Sequence, residues 1–250
     1  MYRRSAVLGC LLMWVFLAGP LWAQPSSAAK TRVLLTTGGH KFQEGPFYTM
    51  FDAMPGIEYT KAEMPGALEQ IKPGLEKQYD VLVMYDLNRK TPTAEQQEAF
   101  VALLNAGIGV VSLHHNLGAN FEWPAWRTII GGQYLLKPVE IDGRPWPAST
   151  YSHDEEMKIA IADSEHPITK GLADFTIHDE SYGGLYVAPN VHVLLTTDHP
   201  KNSRQVCWTT RFGRSPVVCL MLGHDSKAYE NPTYREILMR SIRWVVAERK

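Results

Sequence analysis

The chain has 250 residues, 45% of them hydrophobic and 20% charged, with a formal net charge of -1. That length holds one large domain or two small ones, and the balance is that of a globular protein with a real core. It excludes a disordered acidic tail and, with no Lys/Arg-rich run, a nucleic-acid-binding footprint.

The first element in chain order reads as an export signal. Arg3 and Arg4 supply a positive start, and Ala6 to Gly19 an apolar stretch. Pro20 breaks it, and Leu21-Trp22-Ala23 offers a cleavage site. Residues 1–23 are expected to direct the mature protein to the periplasm or the exterior. The stretch is shorter than the ~20 apolar residues that span a bilayer. No second long apolar run follows, so no membrane span is expected after cleavage. Arg3-Arg4 leaves the general secretory and twin-arginine routes both open. Val7-Leu8-Gly9-Cys10 loosely resembles a lipidation box, but too little apolar sequence precedes Cys10.

Gln24 to Thr31 is a polar lead-in, expected to be mobile. Residues 32–250 read as a single domain. Arg32 to Thr37 predicts a buried strand that stops at Gly38-Gly39. Pro46 to Met54 predicts a helix with Phe47, Met50 and Phe51 on one face. Ile57 to Ala62 and Tyr79 to Tyr85 follow as strands. Thr93 with Gln96 three residues on marks a capped helix to Leu104. Gly109 to Leu113 is the fourth strand. Strands alternating with helices predict an α/β fold, a mostly parallel central sheet with helices on both faces. Asn116 to Ser152 is rich in Trp, Gly and Pro and reads as a long functional insertion, with a short helix at Trp126 to Ile130. Val191 to Thr197, Gln205 to Thr210 and Val217 to Leu222 predict further strands, and Thr233 to Glu248 a closing amphipathic helix. Cys207 and Cys219 fall on two of these strands, either paired or as buried free thiols.

Ligands of an open parallel sheet bind at the carboxyl ends of its strands. One predicted strand ends in Gly38-Gly39-His40, with Glu44 close behind. Another ends in His114-His115-Asn116, and a third in Gly223-His224-Asp225, followed by Tyr229. Three apolar runs that each deliver a histidine at the same edge point to a shared pocket. Asp179-Glu180-Ser181-Tyr182, read as a loop after Phe175-Thr176-Ile177, offers a general base or a metal ligand, or only a solvated cap. His153-Asp154-Glu155-Glu156 is a weaker cluster of the same kind. His178, His192 and His199 read as structural.

The segments Thr36 to Phe42, His114-His115-Asn116, Gly131-Gly132-Gln133-Tyr134, Ser164 to Ile168, Asp179 to Tyr182 and Gly223-His224-Asp225 together resemble the successive signatures of the ThuA-like family, named for trehalose utilisation. The resemblance runs from about Arg32 to Val246. It implies a class I glutamine amidotransferase-like fold, a flavodoxin-like α/β sandwich, and a link to the catabolism of disaccharides or keto-sugars. In the amidotransferases a cysteine nucleophile sits at the sharp turn after a central strand. The matching stretch here is Ser112-Leu113-His114-His115-Asn116, so thiolate chemistry of that kind is lost.

Two mechanisms fit histidines and carboxylates without a nucleophile. In proton transfer, His115 is the base, Glu180 its partner or the acid, and His224 polarises a substrate oxygen, oriented by Asp225. In metal chemistry, His40, His115, His224 and Asp179 or Glu180 hold zinc or another divalent ion. His40, Glu44, His114, Asn116, Tyr182 and Tyr229 are candidates to bind substrate. Trp123, Trp126 and Tyr134 either stack on sugar rings or fill the core. A non-catalytic sugar-binding module would keep the aromatic rings without converging ionisable groups. Gly38-Gly39 lacks the third spaced glycine of a dinucleotide loop, so neither NAD nor ATP is expected.

Overall fold

The computed structural model describes residues 29–249. The expected export signal lies outside the described residues, and Ala29 and Lys30 are exposed coil leading into the first strand.

Nine strands form one sheet: β1 (Thr31–Thr37), β2 (Ile57–Glu63), β3 (Val81–Met84), β4 (Gly109–Leu113), β5 (Thr150–Ile161), β6 (Phe175–Gly183), β7 (His192–Thr196), β8 (Gln205–Phe212) and β9 (Ser215–Leu220). Apart from a single helical turn at Leu75–Gln78, the α-helices are α1 (Glu44–Asp52), α2 (Ala94–Ala106), α3 (Ala125–Ile130), α4 (Ser226–Glu230) and α5 (Pro232–Ala247). The sheet order is β2-β1-β3-β4-β9-β8-β7-β5-β6. Pairing is parallel from β2 to β9 and antiparallel from β9 to β6. The sheet is thus half parallel and half antiparallel.

Local chemistry explains the parallel half. β3, β4 and β9 are apolar runs buried along their whole length, as strands covered on both faces must be. Thr93 and Gln96 form the expected reciprocal cap of α2, which ends at Gly107 with φ 93°. Asn231 caps α5 by accepting the N–H groups of Thr233 and Tyr234, with Pro232 in the first turn. The buried face of α5, including Ile237, Leu238, Ile242 and Val245, lies across β3, β4 and β9.

The antiparallel half departs from the expectation in two places. Asp179 to Tyr182 lies inside β6, not in a loop. Likewise, the supposed insertion from Asn116 to Ser152 contributes its last residues to β5 and holds two small strand pairings, Gly132–Gln133 with Tyr186–Val187 and Val139–Ile141 with Arg144–Trp146. The cause is composition: β5 and β6 carry polar residues on both faces at their ends, so the apolar/polar alternation that marks a strand is missing. Only Ala160 and Ile161 of β5 pair with β7. Most of β5 and β6 therefore forms a two-stranded arm.

Cys207 and Cys219 are free and buried. Cys207 stands opposite Leu220, and Cys219 opposite Trp208. Residues directly opposite share a face and neighbours alternate, so the two thiols lie on opposite faces of the sheet and cannot bridge.

Candidate functional site

The parallel strands end at one edge, and the chain turns sharply there. His114 follows β4 with φ 38°, a left-handed conformation costly for a residue with a side chain. Gly39 and Gly223 make the neighbouring turns. A Cβ on Gly39 would strike the Leu87 carbonyl, and one on Gly223 the Tyr234 hydroxyl, so both positions require glycine. These turns place His40, His114, His115 and His224 together. The ring of His115 lies 4.2 Å from that of His40, 4.6 Å from that of His114 and 5.4 Å from that of His224.

The β5–β6 arm curls back over this edge and brings Glu180. Its Oε2 stands 3.0 Å from His114 Nε2 and 3.2 Å from His224 Nδ1, and its Oε1 3.0 Å from His153 Nδ1. His114 Nδ1–H donates to the Met221 carbonyl at 2.6 Å, because a carbonyl only accepts. That leaves Nε2 facing Glu180, His224 and the Tyr182 hydroxyl, the last at 3.0 Å. Burial disfavours the Glu180 carboxylate, yet the hydrogen bonds from His114 and His224 prevail and hold it well below the usual carboxylate range. Burial likewise opposes a charged His224, but Glu180 raises its pKa overall. Burial and then the surrounding imidazoles hold His115 far below the ordinary histidine value, so its ring is neutral. Neither nitrogen of His115 has a hydrogen-bond partner.

Several expected roles are redistributed. The histidines that meet Glu180 are His114, His224 and His153, and not His115. Asp225 does not orient His224; its carboxylate caps α4 by accepting the Lys227 N–H. Asp179 is no ligand at the histidine cluster, because it points to the other side of β6 and accepts the N–H groups of Gly223, His224 and Glu180. Burial raises its pKa despite these donors. Tyr229 donates to the His224 carbonyl at 2.8 Å and meets Tyr85 at 2.6 Å, so it holds the turn from behind. Asn116 is buried, accepting from Ser112 and donating to the Asp86 carbonyl. Trp123 and Trp126 stack on each other beside Phe100 and belong to the core.

A cavity of about 230 Å³ opens above this cluster. His115 and Glu180 lie at its floor; Tyr134, Tyr182, Tyr151, Leu136, Arg89 and His40 wall it. Glu44 is absent from that lining and faces a separate hollow with Tyr48 and Lys61. Leu136 (45% exposed) and Tyr151 (61%) are the exposed large hydrophobic side chains of the described residues, and both sit at this mouth. Tyr151, Leu136 and Arg89 carry no signal in their residue types, and His153 enters only through the weaker cluster His153-Asp154-Glu155-Glu156. The signal was the strand register: Tyr151 stands opposite Tyr182, which shares its face with Glu180 two residues away.

A mixed sheet whose parallel half ends in a sharp turn after β4 defines an α/β domain of glutamine amidotransferase-like fold. PurLQS of Thermotoga maritima shares the fold, with 12% identity and a TM-score of 0.54 over 86% of this chain and 99% of that one. The chain belongs to the ThuA family, described as trehalose utilisation, whose model matches residues 32–245. ThuA-like proteins of Parabacteroides merdae (19% identity, TM-score 0.71, 87% of this chain and 90% of that one) and Bacteroides uniformis (20%, 0.67, 92% and 97%) are similar structures. No curated protein matches the chain.

Proposed function

We propose that this protein is an exported enzyme acting on a carbohydrate, a disaccharide or keto-sugar, in the cavity above Glu180. One observation carries the reading: aromatic and aliphatic walls stand over a floor where a carboxylate meets imidazoles. Sugar rings present apolar faces to aromatic rings and hydroxyls to polar groups, and Tyr151, Tyr134 and Tyr182 offer both. The volume is below the roughly 300–1,000 Å³ of pockets for drug-sized ligands, which suits one sugar ring of the substrate at a time. The family's description, trehalose utilisation, points to the same substrate class. Export rests on the apolar N-terminal stretch behind Arg3-Arg4. Isomerisation, elimination and hydrolysis are all within reach of the floor groups.

A panel of disaccharides and their keto forms tests the proposal, with binding and turnover measured for the wild type, Tyr151→Ala and Glu180→Gln. The enzyme reading expects Tyr151→Ala to weaken binding and Glu180→Gln to abolish turnover while binding persists. Binding without turnover in the wild type would instead identify a sugar-binding module. No binding of any member would defeat both.

A further inference from the structure

The histidine cluster has more nitrogen than proton transfer needs. His114 Nε2, His224 Nδ1 and Glu180 Oε2 form a triangle with edges of 3.2, 3.2 and 3.0 Å. Donor atoms that share one zinc at ~2.0–2.1 Å lie roughly 3.3 Å apart in a tetrahedron, so this triangle has the size of one face of a coordination shell. A nitrogen of His115 completes a set of four donors, all within 4.8 Å of one another.

Two independent observations point to a cation. His115 is 4% exposed and neither of its ring nitrogens has a partner. A buried imidazole left so pays a desolvation penalty that a bound ligand removes. Second, His114 donates Nδ1–H to the Met221 carbonyl, the outer hydrogen bond that characteristically turns the Nε2 lone pair of a histidine toward a metal. Glu180 has the same outer support from His153.

We propose that His114, His115, His224 and Glu180 bind one divalent transition-metal ion, with Zn2+ the first candidate. Three imidazoles and a carboxylate suit zinc and its neighbours rather than calcium or magnesium, which prefer all-oxygen shells. This ligand set departs from the one expected from sequence in one place, with His114 standing where His40 was expected, and of the two carboxylates left open it takes Glu180. The inference rests on the reading of this cavity as the reactive site. There, the ion would polarise a carbonyl or hydroxyl oxygen of the carbohydrate.

The test uses the full mature chain, stripped with a chelator and titrated with Co2+ followed by visible absorption, then with Zn2+ in competition. One equivalent is expected, with an absorption spectrum of nitrogen-ligated cobalt. Glu180→Gln and His224→Ala should each weaken binding by at least ~10-fold. His192→Ala, at the separate surface pair of His192 with Asp163 (2.8 Å), should leave it unchanged. Near-ultraviolet circular dichroism checks that each variant folds; should His224→Ala not fold, the near-isosteric Glu180→Gln carries the comparison. The absence of saturable one-equivalent binding to the wild type, or binding indifferent to Glu180→Gln, would overturn the proposal. Because this readout contains no carbohydrate, the two readings fail separately. Sugar turnover in a protein that binds no metal sinks the metal site alone, and metal binding without any sugar binding or turnover sinks the carbohydrate enzyme alone.

Discussion

Asp179 accepts the backbone N–H of His224 at 2.9 Å, while its neighbour Glu180 meets the imidazole of the same histidine at 3.2 Å. Successive side chains of a strand point to opposite sides, so adjacent acids on β6 grip one residue in two places. One holds the main chain of the turn, the other its reactive ring. Tyr85 and Tyr229 add hydrogen bonds to the His224 carbonyl, so the histidine is held from three elements.

Asp179→Ala removes the acceptor for the amides of Gly223 and His224 and leaves both buried donors unpaired. A loss of about 2–4 kcal/mol in urea unfolding is expected, together with loss of ordering at His224. A change below about 0.5 kcal/mol would show that the grip is dispensable.

Trp123→Ala and Tyr151→Ala should separate core from mouth. Trp123 packs against Phe100 and Trp126, so its removal should cost about 3–5 kcal/mol. Tyr151 is exposed, and its removal should leave stability within about 0.5 kcal/mol. Thermal melts read both, and calorimetric titration with a bound sugar should show weakened affinity in Tyr151→Ala.

Asp86 gives a pH dependence of stability. Burial pushes its carboxyl up to about 6, against hydrogen bonds from Thr36 and the Asn88 amide. In the unfolded chain it titrates near about 3.9. Between these values the folded state retains a proton that the unfolded state has lost, so stability falls as pH rises from about 4 through 6. The loss from this group is on the order of 2–3 kcal/mol. In Asp86→Asn that part of the slope should vanish, measured by urea unfolding at pH 4 and 7. An unchanged difference between the two pH values would refute it.

Cys207 and Cys219 should behave as two inert thiols. Burial raises both pKa values. Alkylation followed by mass spectrometry should label neither in the folded protein and both in denaturant without reductant. A mass two protons lighter with no labelling would reveal a bridge.

Much of the frame is local and therefore visible in the residues. Val81-Leu82-Val83-Met84 and Gly109-Val110-Val111 are buried strands, as their short length and valine-rich apolar runs between turns favour. The Thr93–Gln96 cap is equally local. The arm was hidden because Tyr151-Ser152-His153-Asp154 lacks an apolar face, and a bulge between Ser152 and Glu155 breaks its register with β6.

The family, the strands of the parallel half and the gathering of His40, His114, His115 and His224 at one edge are legible in the residues alone. Each of these follows from short-range pattern: a buried run, a glycine turn, a histidine. Only the tertiary structure decided which carboxylate joins them and which histidine it meets. Glu180 reaches His114 across 66 residues through a curled arm. Of the adjacent pair, His114 rather than His115 faces it because the elbow after β4 holds φ at 38°. That conformation is disfavoured locally, so packing around the turn, not the residue type, selects it.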